Sequence, residues 1–568
     1  MALPNLQFSH TSRLLLPEWR NLPQVSIQSL VHIMEIHGKC RNARKSVSLH
    51  GFLVESGLET HVLLGNCLVL MLTSCGCIQE AEKVFNKLSF KNISCLNSII
   101  SGYVKHGKPQ YALIMYEKMW RDDGICKEMW KNEYTLEHTL YPNEYTFVAL
   151  LTACTKLKDI RRGIQMHIEV ARLGLIEKDT AVANSLIDMY AKCSLLSKSK
   201  QVFDGIRVKS VVSWTALIGG YAQHGHGEQA IKFFEEMQIQ GVNANARTFV
   251  SVLKACSSTG NIAKGEVIHA QVERQGLVKG DIFIGSTLVD MYAKNGSLAK
   301  AQEIFNSLVY RNAISWNAIL SGYIENGHSE EAVKFFEKMQ QGRVLPNAIT
   351  FVCGLKACGN IGAIDKIGEI HDEIERKGLL EDAFVSNTLV DMYARCGALT
   401  KAQQVFNKLR VQDVISWTSL MSGYAQLGDS ENVFIIFDKM LGTGVKPDPV
   451  TFIIVLNTCS RTGLYSKGKS YFEAMSDEYG IMPIREHHSC ILDLLGRVGQ
   501  LDKVRGLMKE MPVCPNIAMW HSVLSSCKKW GNVEFAKKAF EHAVHLVKND
   551  AGSYVFMSQV YADADLVV

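Results

Sequence analysis

The stretch NTLVDMYARCG, from Asn387 to Gly397, occurs three times in this chain with small changes. STLVDMYAKNG begins at Ser286 and NSLIDMYAKCS begins at Asn184, so the copies start 102 and 101 residues apart. The same two spacings separate three tryptophans, Trp214, Trp316 and Trp417. Because different residue types share one period, the chain is predicted to be an internal repeat.

Each period divides into three segments of one plan. In 211–245, VVSWTALIGGYAQHGHGEQAIKFFEEMQIQGVNAN, two stretches with apolar residues at helical spacing flank a break at HGHG. Segments 246–281 and 282–312 repeat this pattern. A helical hairpin cannot bury both of its apolar faces alone, but it can when stacked on its neighbours. The predicted fold is therefore an all-α solenoid of stacked helix-turn-helix units.

Composition limits the class of protein without naming a partner. The chain has 568 residues, 47% of them hydrophobic, and a formal charge of +5. This mild excess permits an anionic partner but does not require one. No apolar run approaches the roughly 20 residues that span a bilayer, so no membrane association is expected. The 16 cysteines lie within apolar helical patterns, and we interpret them as free thiols in a reducing compartment, most of them in the core.

The first 26 residues differ from the rest. They contain Arg13 and Arg20, a single acidic residue, Glu18, and scattered Ser and Thr. This bias is typical of an organellar transit peptide, and the alternative is an ordinary unstructured terminus.

Several motifs resemble one family closely. VVSWTALIGGYAQHG, GSLAKAQEIF, TFVSVLKAC and GEVIHAQV are similar to the P, S and L units of plant pentatricopeptide repeat proteins of the PLS class. The resemblance covers about residues 27–568 and implies a right-handed superhelix of pentatricopeptide repeats. The Trp-Leu-Gly and Tyr pattern of tetratricopeptide repeats is absent from the sequence.

The resemblance also implies a domain organisation. Residues 27–516 would form the repeat array, with an insertion at about 125–141. Segment 517–550 resembles the first E motif of this class, and 551–568 resembles a truncated second E motif. The expected subgroup is therefore the one that has E motifs and lacks the DYW deaminase domain.

The sequence offers little for catalysis. A cytidine deaminase would carry H-x-E followed by P-C-x-x-C, for a zinc-bound water and a proton shuttle. H-x-E occurs at His167 with Glu169 and at His328 with Glu330, but no C-x-x-C follows either. We interpret both as structural, with Ser329 expected to cap the helix that begins there. No catalytic residue, metal or cofactor is predicted, and the chain is expected not to be an enzyme.

The resemblance implies that variable side chains read RNA bases. In the family, the fifth and last residues of each P or S unit recognise one base. Asn offers a donor and an acceptor, Thr and Ser a hydroxyl, and Asp only acceptors. The pairs here are Asn66 with Asn92 and Asn97 with Asn143 for pyrimidines, Asn184 with Ser210 for cytosine, Thr215 with Asn245 and Ser286 with Asn312 for adenine, Asn317 with Asn347 for a pyrimidine, Asn387 with Asp413 for uracil, and Thr418 with Asp448 for guanine.

Read in chain order, these pairs give the RNA string 5′-Y-Y-n-C-A-n-A-Y-n-U-G-3′. The L-type units carry Val148, Val250 and Val352 at the fifth position, and valine cannot hydrogen-bond, so they receive no base. The pair Ser489 and Asn516 of the closing unit is not assigned a base either. The alternative interpretation of all the pairs is solvated polar turn residues.

Aliphatic residues at the second position of a unit, Val212, Ile314 and Ile415, would sandwich the bases in the family. The alternative is that they pack between helices.

The expected function is sequence-specific binding of single-stranded organellar RNA as a site-recognition factor for C-to-U editing. A deaminase-domain protein supplied in trans and other editing factors would be the partners. The mitochondrion is the expected location, with the chloroplast as alternative. A factor for RNA stabilisation, splicing or processing is the second hypothesis, and a protein–protein interaction scaffold is the third.

Overall fold

The computed structural model describes residues 27–40, 42–88, 92–118, 142–342 and 344–565. The expected transit peptide and the expected insertion at 125–141 lie outside these ranges. All regular structure within the described ranges is helical. The chain forms two compact units, Met1–Met291 and Tyr292–Val568. The all-α prediction is confirmed.

The first unit is a series of antiparallel helices, and the last of them continues to Lys294. Its helices are Ile27–Cys40, Ala43–Glu55, Val62–Ser74, Ile78–Lys87, Ile93–Lys105, Pro109–Glu117, Glu144–Leu157, Ile160–Arg172, Leu175–Lys178, Thr180–Lys192, Leu196–Gly205, Val211–Gln223, Gly227–Ile239, Ala246–Thr259, Ile262–Arg274, Leu277–Gly280 and Ile282–Lys294.

The second unit is also built of helical hairpins, each with a first and a second helix. It contains Leu298–Ser307, Ala313–Glu325, Ser329–Gln341, Ala348–Asn360, Ile364–Arg376, the 3-10 turn Leu379–Glu381, Ala383–Arg395, Leu399–Lys408, Val414–Gln426, Ser430–Gly442, Pro449–Thr462, Tyr465–Asp477, Arg485–Arg497, Leu501–Glu510, Ile517–Trp530, Val533–Leu546 and Ala551–Asp565.

The predicted hairpins are confirmed at their starts. Segment 313–347 shows why: the side chain of Asn312 accepts the N–H of Ser315 and caps the first helix. Gly327, at φ 80°, provides the left-handed residue that ends the first helix. The second helix then buries Phe335 and Phe336.

Burial explains why the repeated stretch, residues 387–397, varies so little between its copies. Leu389, Val390, Met392 and Tyr393 are all buried in the core of the second unit. The stretch ends on a turn residue with positive φ, which is Gly397 in one copy but Ser194, at φ 65°, in another. The backbone geometry is therefore kept even where the glycine that suits it is replaced.

Successive hairpins pack through close contacts that recur. Trp214 lies edge-on to Phe203 at 4.6 Å, and Trp417 lies edge-on to Phe406 at the same distance. Such aromatic pairs stabilise the interface beyond their buried area. A Cβ added at Gly423 would lie 2.6 Å from the Cβ of Ala394, so this glycine allows the helices to approach closely.

The first H-x-E motif and two of the predicted core cysteines lie in structural positions. The His167 ring lies 2.7 Å from the Tyr190 hydroxyl, and Glu169 accepts a hydrogen bond from the Tyr116 hydroxyl at 2.5 Å. Burial raises the pKa of the free thiols of Cys256 and Cys459 to about 11, so both remain protonated and inert at neutral pH.

The cap predicted at Ser329 is wrong. His328 holds the N-cap position, and Ser329 is the first helical residue. The Ser329 hydroxyl instead accepts a hydrogen bond from Asn360, because it faces the neighbouring hairpin.

The described residues offer neither a membrane-spanning helix nor a cluster of metal ligands. They contain no helix long and apolar enough to cross a membrane. They also contain no group of His, Cys, Asp and Glu side chains that could hold a metal ion.

Candidate nucleic-acid interface

The fifth residue of each unit lies one turn into the first helix. The structure buries Ser286, Asn317, Asn387 and Thr418, whose exposed fractions are 4–8%. Asn66, Asn97, Asn184 and Thr215 are half-buried. These residues are therefore not the freely solvated side chains of the alternative interpretation. Each can present only a small part of its polar group.

The last residue of each unit has a structural role that the sequence interpretation missed. All eight cap the following helix by accepting one of its free backbone N–H groups: Asn92, Asn143, Ser210, Asn245, Asn312, Asn347, Asp413 and Asp448. N-cap positions favour Asn, Asp, Ser and Thr for this reason alone. The residue type at these positions is thus explained by helix capping, before any base recognition is considered.

Three of the predicted pairs are joined directly. The amide Nδ2 of Asn97 donates to Asn143 Oδ1 at 2.9 Å, and that of Asn317 donates to Asn347 Oδ1 at 3.2 Å. Asn387 Nδ2 donates to both carboxylate oxygens of Asp413, at 2.9 and 3.1 Å. In these units the last residue orients the fifth.

The other fifth residues use different partners. The hydroxyl of Thr215 donates to the Val211 carbonyl, that of Ser286 to the Ile282 carbonyl, and that of Thr418 to the carbonyls of Val414 and Ile415. Asn66 Oδ1 accepts from the Cys95 thiol at 3.2 Å. Asn184 Oδ1 is buried and has no hydrogen-bond partner in the part of the chain that the structure describes.

The second-position residues are half exposed. Val212, Ile314 and Ile415 have exposed fractions of 53%, 50% and 56%, so packing between helices covers only about half of each side chain. Six other units also expose an apolar or aromatic side chain at the second position, which the sequence interpretation missed: Leu63, Tyr145, Phe283, Ile349, Phe384 and Val450. Their shared position in the unit was the signal that could have identified them. Flat aromatic and aliphatic surfaces of this kind can stack on nucleic-acid bases.

The closing unit brings its pair into one depression. Ser489 and Asn516 line an open depression of about 400 Å³ together with Arg485, Asn457 and Asp493. One cationic, two anionic and several polar side chains therefore surround this pair.

Family models match much of the repeat array. A PPR repeat family model matches residues 209–258, 311–360 and 412–461. A PPR repeat model matches 94–123, 182–211, 286–312, 384–414 and 486–514.

Three similar proteins come from Arabidopsis thaliana and are named pentatricopeptide repeat-containing proteins. At4g33990 is 31% identical over 97% of this chain and 63% of its own length. At3g15130 is 32% identical over 94% of this chain and 76% of its own length, and the chloroplastic At1g11290 is 30% identical over 95% and 64%. The chain thus spans less than two thirds of the length of two of these relatives.

Two crystal structures of PPR10 share the fold. The protein from maize matches with a TM-score of 0.50 at 14% identity, over 98% of this chain and 93% of PPR10. The complex of PPR10 with an 18-nt psaJ RNA element matches with a TM-score of 0.58 at 20% identity, over 87% of this chain and 69% of PPR10. The fold, the repeat models and the Arabidopsis relatives agree: the chain belongs to the pentatricopeptide repeat family.

Proposed function

We propose that this protein binds single-stranded RNA sequence-specifically, with one base read per P-type or S-type unit. The observation that carries the proposal is the row of fifth-position polar side chains, three of them held by the last residues of their units, flanked by half-exposed apolar second-position residues. Polar side chains can hydrogen-bond to the edges of the bases, and flat apolar side chains can stack on their faces. Recognition of single-stranded RNA combines these two kinds of contact. The RNA-bound PPR10 structure supports this use of the shared fold.

The finer proposal is site recognition for C-to-U editing in an organelle, within the PLS class and its E-motif subgroup. The order of the units and the E-like segments 517–550 and 551–568 support it. The deaminase and the other editing factors would be supplied by separate chains. A relative named as chloroplastic supports an organellar location, with the mitochondrion as our prediction and the chloroplast as alternative.

The competing proposal is a protein–protein scaffold, and one observation favours it. Because helix capping explains the last residues, only the fifth and second positions need a further role. A scaffold would show no dependence of RNA affinity on those positions.

Thr418→Asn separates these proposals. The variant would pair Asn with Asp448, which is the combination proposed to read uracil at Asn387 and Asp413. The variant should therefore bind the RNA with U at the eleventh nucleotide about tenfold more tightly than the RNA with G. Ser419→Asn is the matched control, because it places the same amide one residue along the helix, where it faces another direction. Dissociation constants for the G and U RNAs are measured for each protein. A preference that Thr418→Asn leaves unchanged would contradict base reading.

A further inference from the structure

The orientation of the Asn317 amide is fixed by the helix that follows its unit. The N–H of Thr350 donates to Asn347 Oδ1 at 3.0 Å as part of the helix cap, so the atom of Asn347 at this place must be an oxygen. The Asn317 atom facing that oxygen must then be the donor, Nδ2. Its oxygen, Oδ1, is thereby turned toward the Thr350 hydroxyl.

The Thr350 hydroxyl completes the arrangement. Its oxygen accepts the backbone N–H of Asn347 at 3.2 Å, and its proton is left to donate. The hydroxyl oxygen lies 2.7 Å from Asn317 Oδ1 and 3.0 Å from Asn347 Oδ1, so the shorter bond goes to the fifth residue. A 180° rotation of the Asn317 amide would bring its oxygen against the Asn347 oxygen, so that two acceptors would face each other, and would remove the acceptor of the short bond from Thr350.

The same arrangement recurs two periods earlier, and a related contact lies one period earlier. The Thr146 hydroxyl donates to Asn97 Oδ1 at 2.6 Å, and Asn97 Nδ2 donates to Asn143. Thr248 lies 2.7 Å from the hydroxyl of the fifth residue Thr215. All three threonines are the third residue of a unit that carries valine at the fifth position, namely 144–179, 246–281 and 348–382. We call these three the valine units.

The boundaries at Ser416 and Thr451 lack this bond, and at the boundary before unit 93–143 a thiol, that of Cys95, takes the place of the hydroxyl and donates to Asn66 Oδ1. The Ser416 hydroxyl donates to the backbone carbonyl of Asp413 and not to Asn387 Oδ1. The Thr451 hydroxyl donates to the Asp448 carboxylate at 2.7 Å, since a charged oxygen is the stronger acceptor. The contact therefore depends on which side chains meet, and is not a general property of helix capping.

We propose that the third-position threonine of each valine unit is a positioning residue for the base reader of the preceding unit. Thr146, Thr248 and Thr350 fix which hydrogen-bonding group Asn97, Thr215 and Asn317 present to RNA. The valine units thus contribute to the specificity of the adjacent unit although they are assigned no base of their own. This inference rests on the proposed RNA-binding function.

The test uses the full chain and RNAs that carry the predicted string with each of the four bases at the eighth nucleotide, which is aligned with Asn317. Thr350→Val removes the hydroxyl, and Thr350→Ser retains it. Thr350→Val should reduce the ratio between the tightest and the weakest of the four RNAs by about two- to tenfold, because one orienting hydrogen bond is lost. Thr350→Ser should keep the ratio of the unmodified protein.

Two controls separate positioning from folding. The preference at the eleventh nucleotide, read by Thr418, should stay the same in Thr350→Val, whereas a loosened fold would weaken all RNAs alike. Ser416→Ala removes a third-position hydroxyl that donates to a backbone carbonyl, and should leave the preference at the tenth nucleotide unchanged. Thermal unfolding of each variant confirms that binding is measured on folded protein.

The outcomes are distinct. An unmodified protein without preference at either nucleotide overturns the proposed function and this inference with it. A preference at the eighth nucleotide that Thr350→Val retains, or that Thr350→Ser also loses, overturns the inference alone and leaves base reading intact.

Discussion

At the residue scale, one amide serves two purposes. Asn347 caps a helix and also orients Asn317, so the chemistry of the cap is transmitted to the candidate base reader. The sequence predicted both residues through the family resemblance. It did not predict the contribution of Thr350, because that residue belongs to the next unit and its hydroxyl contacts a side chain of a different helix. The recurring TF at the start of the valine units was the available signal.

His167 provides a pH test at this scale. Burial first, and then the charge of Lys198, lower its pKa below the usual value of about 6.5. The folded protein therefore binds a proton at His167 less readily than the unfolded chain does. Stability should be independent of this group above pH 6.5 and should fall as the pH drops below it.

His167→Gln should make stability less dependent on pH between 7 and 5, since glutamine does not titrate. Urea-unfolding midpoints of both proteins, measured across this range, give the comparison. Equal slopes in the two proteins would show that His167 does not contribute to the acid sensitivity.

At the element scale, periodicity predicted the hairpins and their first residues well. A helix such as Val414–Gln426 has enough turns for its apolar spacing to be recognised. The short helical turns Leu175–Lys178, Leu277–Gly280 and Leu379–Glu381 were missed. Each is about one turn long, so no periodic signal can develop, and each follows a glycine in the left-handed region.

Two glycines on helices of the second unit should respond in opposite directions to alanine. Gly423→Ala places a methyl group 2.6 Å from Ala394 Cβ and 2.9 Å from a Leu399 methyl, and should cost about 1–3 kcal/mol. Gly368→Ala meets no heavy atom within 4 Å and should stabilise its helix by about 0.5–1 kcal/mol. Denaturant midpoints of both variants decide this, and destabilisation of similar size at the two sites would contradict the packing argument.

At the scale of the whole molecule, the repeat explains both the fold and the candidate site. Each hairpin stacks on its neighbours, so one local plan, written many times, produces an extended series of similar positions. The fold class followed from the sequence because a repeated stretch and three tryptophans share one period. The function of these repeated positions cannot be derived from periodicity, since the same helical hairpins build both protein–protein scaffolds and RNA-binding proteins.

The most direct measurement is binding of this chain to an RNA that carries 5′-Y-Y-n-C-A-n-A-Y-n-U-G-3′, compared with a scrambled RNA of equal composition at several salt concentrations. Both RNAs carry the same charge, so a purely electrostatic protein would bind them equally and lose both as salt rises. We expect tighter binding of the RNA with the ordered string, and a preference for it that persists at higher salt. Equal affinity for the two RNAs, or no binding of either, would contradict this expectation.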